Sequence, residues 1–169
     1  MLETYLACLD LGYFEVTEAF KNLPDELVWV RPADGLLSIG ELAGHIAYWE
    51  AARFGGDTPD GGSSRDLSNC RIQSPLLAEQ FGYYTSNIPQ LPTEALRALT
   101  AAQVQAELLR VHAEAMAFLK ERNPEMTDKA PYWYSNFGDL LKYMIFHVSY
   151  HTGQMYSVRH LLGDPTPDN

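Results

Sequence analysis

Basic residues are scarce in this chain: 12 lysines and arginines stand against 22 aspartates and glutamates, for a formal net charge of −10. Binding to a phosphate backbone needs clustered cations that displace counterions, and no Lys/Arg cluster exists, so nucleic acid is not an expected partner. Cysteine is rarer still. The two present, Cys8 and Cys70, match no zinc-ligand spacing and make no disulfide framework. Each is expected as a buried or half-buried free thiol in a reducing cytoplasm. Long apolar runs are also missing, which excludes a membrane-spanning helix. The opening run Met1-Leu-Glu-Thr-Tyr-Leu-Ala-Cys-Leu-Asp10 has acids where a signal peptide has bases. A soluble, unprocessed protein is expected, its 169 residues forming one domain (1–169) with a core that needs no disulfides.

Period-two strand patterning is the last absence, and helical periodicity fills its place. Leu2, Leu6, Leu9, Tyr13, Val16 and Phe20 alternate steps of four and three, one apolar stripe on a first helix that Pro24 ends. A second helix starts at Ser38, where Ser38-Ile-Gly-Glu41 has the form of a capping box, and Ile39, Leu42, Ile46 and Trp49 supply its inward face. Gly55-Gly56 stops it. From there to about Pro92 the chain is rich in Gly, Pro, Ser and Asn, a long connection with a short helix expected over Ser74 to Phe81. So long a connection suits a crossover at the end of a bundle and offers a lid. A third helix follows Thr100, with Thr100-Ala-Ala-Gln103 as a second capping box and Val104, Leu108, Val111, Ala115 and Phe118 on its stripe; Asn123-Pro124 closes it. The last runs from about Asn136 to Leu162, capped by Gly163. These elements imply an all-α fold, a four-helix bundle with a long crossover between helices 2 and 3; an irregular all-α fold is the alternative.

The segment His147-Val-Ser-Tyr-His-Thr-Gly-Gln154 sets two imidazoles one helical turn apart. The inward stripe of the last helix reads Leu140, Tyr143, His147, His151, Gln154, Val158 and Leu161, so both rings point toward the core. Buried imidazoles need partners for their nitrogens, and one shared cation satisfies both. Two unrelated core histidines are the plainer alternative. His45, beside Leu42, Ile46 and Trp49 on the second helix, is placed to face the pair. His160 falls on the outer face, and His112, one residue past its helix's stripe, is expected at a solvated or boundary position, with a supporting bond to a ligand as the other option. Gln154 follows His151 by three residues and bonds either a metal-bound water or the substrate, or else makes a helix–helix bond. Tyr48, Trp49, Tyr143 and Tyr150 are candidate pocket walls, although aromatics at helical spacing equally build core.

These residues resemble the DinB/YfiT-like superfamily of bacterial proteins, whose pattern joins a helix-two histidine to a His-x3-His-x-Gly-Gln element; here those are His45 and His147 to Gln154. Trp29-Val-Arg-Pro32 followed by Ser38-Ile-Gly-Glu-Leu-Ala-Gly-His45 extends the likeness. The resemblance implies an up-down-down-up four-helix bundle, a divalent metal such as zinc or nickel on His45, His147 and His151, and frequent homodimers. The chain departs from the commonest form at Val148, Tyr150 and Thr152, a departure expected to bear on substrate rather than on metal.

Three neutral imidazoles leave a dication its full charge and open coordination positions. Such an ion lowers the pKa of water or turns a thiol into thiolate. Val148 stands where the His-Glu-x-x-His hydrolases carry their general base, which excludes that mechanism. Glu41 and Glu50 are candidate proton acceptors, or else solvated surface charges. Characterised relatives include mycothiol-dependent isomerases and bacillithiol S-transferases, so the resemblance implies a metal-dependent thiol transferase or hydrolase that acts on a small molecule with a low-molecular-weight thiol as cosubstrate. The alternative is a non-catalytic, metal-stabilised bundle in a stress response that binds a small ligand or a protein partner.

Overall fold

The computed structural model describes residues 1–55, 67, 70–82, 91–130 and 133–164. Among them every regular element is helical: α1 (Leu2–Phe20), α2 (Ile39–Phe54), a one-turn α3 (Glu94–Arg97), α4 (Ala101–Arg122) and α5 (Phe137–Leu161), with 3-10 turns at Asp25–Leu27, Pro75–Leu77 and Glu79–Gly82. No helix of the described residues is long and apolar enough to cross a membrane.

The helix ends follow their side chains. Ser38 Oγ accepts from the Glu41 amide at 3.3 Å while Glu41 Oε2 accepts from the Ser38 amide at 2.9 Å, a reciprocal box that satisfies donors the first turn leaves open. Thr100 and Gln103 repeat it at the start of α4. Asn136 caps α5 by accepting from the Asp139 amide at 2.9 Å. α1 stops at Phe20, and the chain turns at Asn22 (φ 56°), a left-handed position that asparagine tolerates. Pro24 therefore does not end the helix itself; it caps the Asp25–Leu27 turn.

α2 packs along α4 and α5, and α1 along α5 and α4, so the four long helices close a ring around one core. Leu9, Val16, Ile46, Leu108, Leu140 and Val148 are fully buried within it. Close approach of α1 to α5 depends on Gly12, where a Cβ would lie 3.2 Å from Val148 Cγ1.

The buried faces differ in part from the expected stripes. On α5, Leu140, His147 and Val158 of the expected stripe are buried, and Phe137, Leu141, Met144, Val148, Thr152, Met155 and Arg159 are buried beside them, because the helix serves α1 as well as α2 and its buried face is wider than one stripe. Leu161 is 63% exposed and Tyr143 and Gln154 are half-buried. His147 and His151 consequently lie on the edge of the core, not at its centre. On α4, Leu119 takes the buried place expected of Phe118, whose ring is covered by the Arg71 guanidinium at 4.0 Å. Cys8 is exposed, against expectation, since it faces out from α1; Cys70 is half-buried and its Sγ donates to the Ala51 carbonyl at 3.7 Å. Val148 and Thr152 are buried in the core, where the Thr152 hydroxyl donates to the Val148 carbonyl at 2.8 Å, so neither side chain is available to a substrate.

Ser74 to Phe81 is not one helix but two 3-10 turns, broken at Ala78 by an extended ψ of 138°. The short α3 was not foreseen; Thr93 caps it by accepting from the Leu96 amide at 3.3 Å. The glycine-rich run from 56 to 66, most of the expected lid and the tail from 165 onward lie outside the described residues.

Candidate metal centre

His45 sits two turns into α2, on the side that faces α5. The strap Glu79–Gly82 lies directly on this part of the helix because two glycines permit it. A Cβ at Gly44 would stand 2.6 Å from the Phe81 ring, and one at Gly82 would stand 2.5 Å from the Tyr48 ring. Buried Phe81 thereby presents its carbonyl oxygen to His45, and His45 Nδ1–H donates to it at 2.7 Å. A carbonyl only accepts, so the proton is on Nδ1 and Nε2 carries a bare lone pair.

α5 supplies the other two rings. His151 Nδ1–H donates to Gln154 Oε1 at 2.6 Å, which again leaves Nε2 bare. His147 Nε2 lies 3.2 Å from His45 Nε2, and His147 Nδ1 is buried without a hydrogen-bond partner. One ring nitrogen from each of the three histidines falls within 4.8 Å of the others. Ring centroids are 5.0 Å apart for His45–His147, 4.6 Å for His45–His151 and 4.5 Å for His147–His151.

Burial pushes the imidazoles toward neutrality. His45 is lowered to about 3, chiefly by desolvation and then by His151, with the Phe81 bond opposing. His147 is lowered to about 2 by desolvation, with His151, His45 and the Arg53 charge adding to it. Desolvation also lowers His151, against the Gln154 bond. Three neutral rings with converging nitrogens are the donor set of a borderline divalent cation. Two nitrogens bound at ~2.0–2.1 Å to one tetrahedral ion stand about 3.3 Å apart. The observed 3.2 Å fits that spacing.

The remaining candidates separate cleanly. Gln154 bonds along its own helix rather than to another one. Its amide oxygen orients His151, and its nitrogen donates to the Tyr150 hydroxyl at 3.4 Å. Trp49 is half-buried with its ring 6.4 Å from His45, and Tyr143 stacks on His147 at 5.9 Å. Tyr150 is mostly exposed, 5.0 Å from His151. Tyr48 is no open wall: it is buried against Phe81 and Leu96.

Glu41 is buried in its capping box and bonded to the Arg31 guanidinium, with Arg31 Nε donating at 2.9 Å, so it is neither a free base nor a solvated charge. Glu50 is fully buried on another side of α2, where the Tyr13 hydroxyl and His112 Nδ1–H both donate to it, the latter at 2.9 Å. His112 is thus buried rather than solvated, its ring stacked on Tyr13 at 3.5 Å. Burial alone would lower its pKa, but the charges of Glu50 and Asp10 raise it. His112 supports none of the three clustered histidines. His160 is exposed, as expected.

Two participants escaped sequence reasoning. One is the Phe81 carbonyl, a backbone atom that no motif marks. The other is Arg53, two turns beyond His45, whose guanidinium lies 4.4 Å from the Trp49 ring centre and donates to the Tyr134 hydroxyl at 3.3 Å.

The sequence model of the DinB superfamily matches residues 9–155. This chain belongs to the DinB superfamily. The matched span holds all three clustered histidines and Gln154 of this DinB protein. No curated protein and no solved structure gave a match.

Proposed function

We propose that this DinB-superfamily chain is a metal-dependent thiol S-transferase or hydrolase whose divalent ion, zinc or nickel, is held by His45, His147 and His151. The observation that carries the reading is the convergence of three neutral imidazoles, with His45 Nε2 and His147 Nε2 3.2 Å apart. Two bare lone pairs at that distance repel unless a proton or a cation lies between them. We also propose the up-down-down-up order of the four long helices, a homodimer and a cytoplasmic location.

A dication held here supplies Lewis acidity that lowers the pKa of a thiol or water and polarises an electrophile. The chain's own part is positional. The Phe81 carbonyl and Gln154 fix the ring tautomers of His45 and His151, and the Tyr143 ring stacks on His147 while Trp49 stands edgewise to His45. Among the described residues the potential ligand group contains histidines only, and both candidate glutamates are engaged elsewhere. A thiol, with an ordinary pKa near ~8.5 against 15.7 for water, loses its proton to solvent with far less help from a base. That contrast favours the transferase over the hydrolase.

Elemental analysis of protein purified without an affinity tag tests the site. One divalent ion per chain, lost in His45→Ala and His147→Ala, is expected, together with chelator-sensitive consumption of a low-molecular-weight thiol and an electrophile. Protein that takes up no metal on reconstitution refutes it. The second reading, a non-catalytic bundle pinned by its metal, draws on the triad's bridging of α2 and α5. It is favoured if chelation lowers thermal stability while no turnover appears across thiol and ester panels.

A further inference from the structure

Beside the triad runs a strip of aromatic rings, three of them exposed and one, Tyr143, half-buried. Trp133, Tyr143, Phe146 and Tyr150 follow one another with centroid separations of 5.6, 6.4 and 5.7 Å. The last three, with His147, fall at helical spacing on one side of α5. Trp133 is 71% exposed, Phe146 62% and Tyr150 53%. Aromatic rings left in contact with water as a contiguous patch mark a binding surface rather than a packing remainder.

Its position says what binds there. The strip touches the triad twice, through Tyr143 stacked within 28° of the His147 ring and through Tyr150 set edgewise to His151. Its size points the same way, for a stable protein–protein interface engages roughly 20–30 residues a side, whereas this surface is a few rings long. We propose that the strip is the subsite for a planar aromatic portion of the substrate, which lies along Trp133, Phe146 and Tyr150 while its reactive group reaches the histidines. The inference rests on the triad being a reaction centre and adds the substrate class: an arene-bearing compound rather than a small polar one.

Equilibrium dialysis of 4-nitrobenzyl alcohol against the full chain, metal-free and zinc-reconstituted, tests it, with cyclohexylmethanol as the saturated counterpart. Saturable retention of the arene is expected, weaker by about two- to tenfold for each ring removed in Trp133→Ala, Phe146→Ala and Tyr150→Ala, and severalfold weaker for the saturated alcohol. The substituted side chains are largely exposed, so thermal melts should match the parent. Retention in His147→Ala after its metal is lost supports the strip, and strip-dependent binding in a chain that takes up no metal supports it while overturning the metal reading alone. Equal retention by the parent and the triple variant overturns the proposal. So does a triple variant that changes sedimentation without changing arene binding, which identifies the strip as a protein interface.

Discussion

His45 donates its Nδ1 proton to the carbonyl oxygen of Phe81 at 2.7 Å, and it does so because Gly44, its neighbour on α2, has no side chain to hold the Phe81 ring away. The absence of one methyl group on the helix surface therefore sets which nitrogen of His45 faces the other histidines. Replacing Gly44 by alanine puts a Cβ within 2.6 Å of a buried ring. The expected cost is about 1–3 kcal/mol of stability from overpacking, with metal affinity lowered by about 10–100-fold as the orienting bond is lost. Denaturant melts and competitive chelator titration measure the two effects separately. Unchanged affinity in a destabilised variant would show that the Phe81 bond does not orient the ring.

Gln154 gives a milder version of the same experiment, because it is half-buried and bonds only along its own helix. Gln154→Ala is expected to leave folding within about 0.5 kcal/mol of the parent, as a surface change does. Metal affinity falls, by about tenfold or more, because His151 loses the acceptor that fixes its tautomer. Gln154→Glu keeps an acceptor and should recover most of the affinity. Chelator titration of the three proteins distinguishes this from a general loosening of α5, which Glu would not repair.

The depressed imidazoles make stability depend on pH in a definite direction. In the unfolded chain His45 and His147 take up protons as the pH falls through about 6.5, while in the folded chain burial delays this to about 3 and about 2. The unfolded state binds more protons across that interval, so stability rises with pH. Metal-free protein is expected to lose stability progressively below about pH 6.5. His112 has the opposite sign: its raised pKa gives a contribution that is complete below about 6.5 and is lost as pH rises through the folded value. Urea midpoints taken from about pH 4 to about 8, compared for the parent and His147→Gln, should show a shallower acid slope in the variant. Identical slopes would mean that His147 is not held neutral by burial.

What could be read before the structure was known depended on how local the physics was. Both capping boxes are statements about four consecutive residues, and Ser38/Glu41 and Thr100/Gln103 form as the sequence says. The proximity of His147 to His151 is equally local, one helical turn. His45 was legible because it shares a helix face with core residues Leu42 and Ile46. The width of the buried face of α5 was not, since it depends on two neighbours at once, α1 through Gly12 and α2 through His45. The bond from His151 to Gln154 was not legible either, because a side chain's choice among acceptors and donors is settled by distances that spacing does not contain. The Phe81 strap was invisible for a related reason: its contribution is a carbonyl, identical in every residue.

Glu50 shows how burial reassigns a residue that looked like a base. It has no exposed surface, and its two oxygens accept from Tyr13 on α1 and His112 on α4. Each donor offsets part of the cost of keeping a carboxylate out of water, so removing one leaves the other insufficient. Tyr13→Phe changes only the hydroxyl, keeps the ring stacked on His112, and is expected to cost about 1–3 kcal/mol. Because this cluster joins α1, α2 and α4 while the histidine cluster joins α2 and α5, metal affinity should stay within about twofold, as for independent sites. Guanidinium melts and chelator titration of the same preparation decide it. A Tyr13→Phe protein that melts normally but binds metal poorly would reverse the assignment and return Glu50 to the chemistry of the triad.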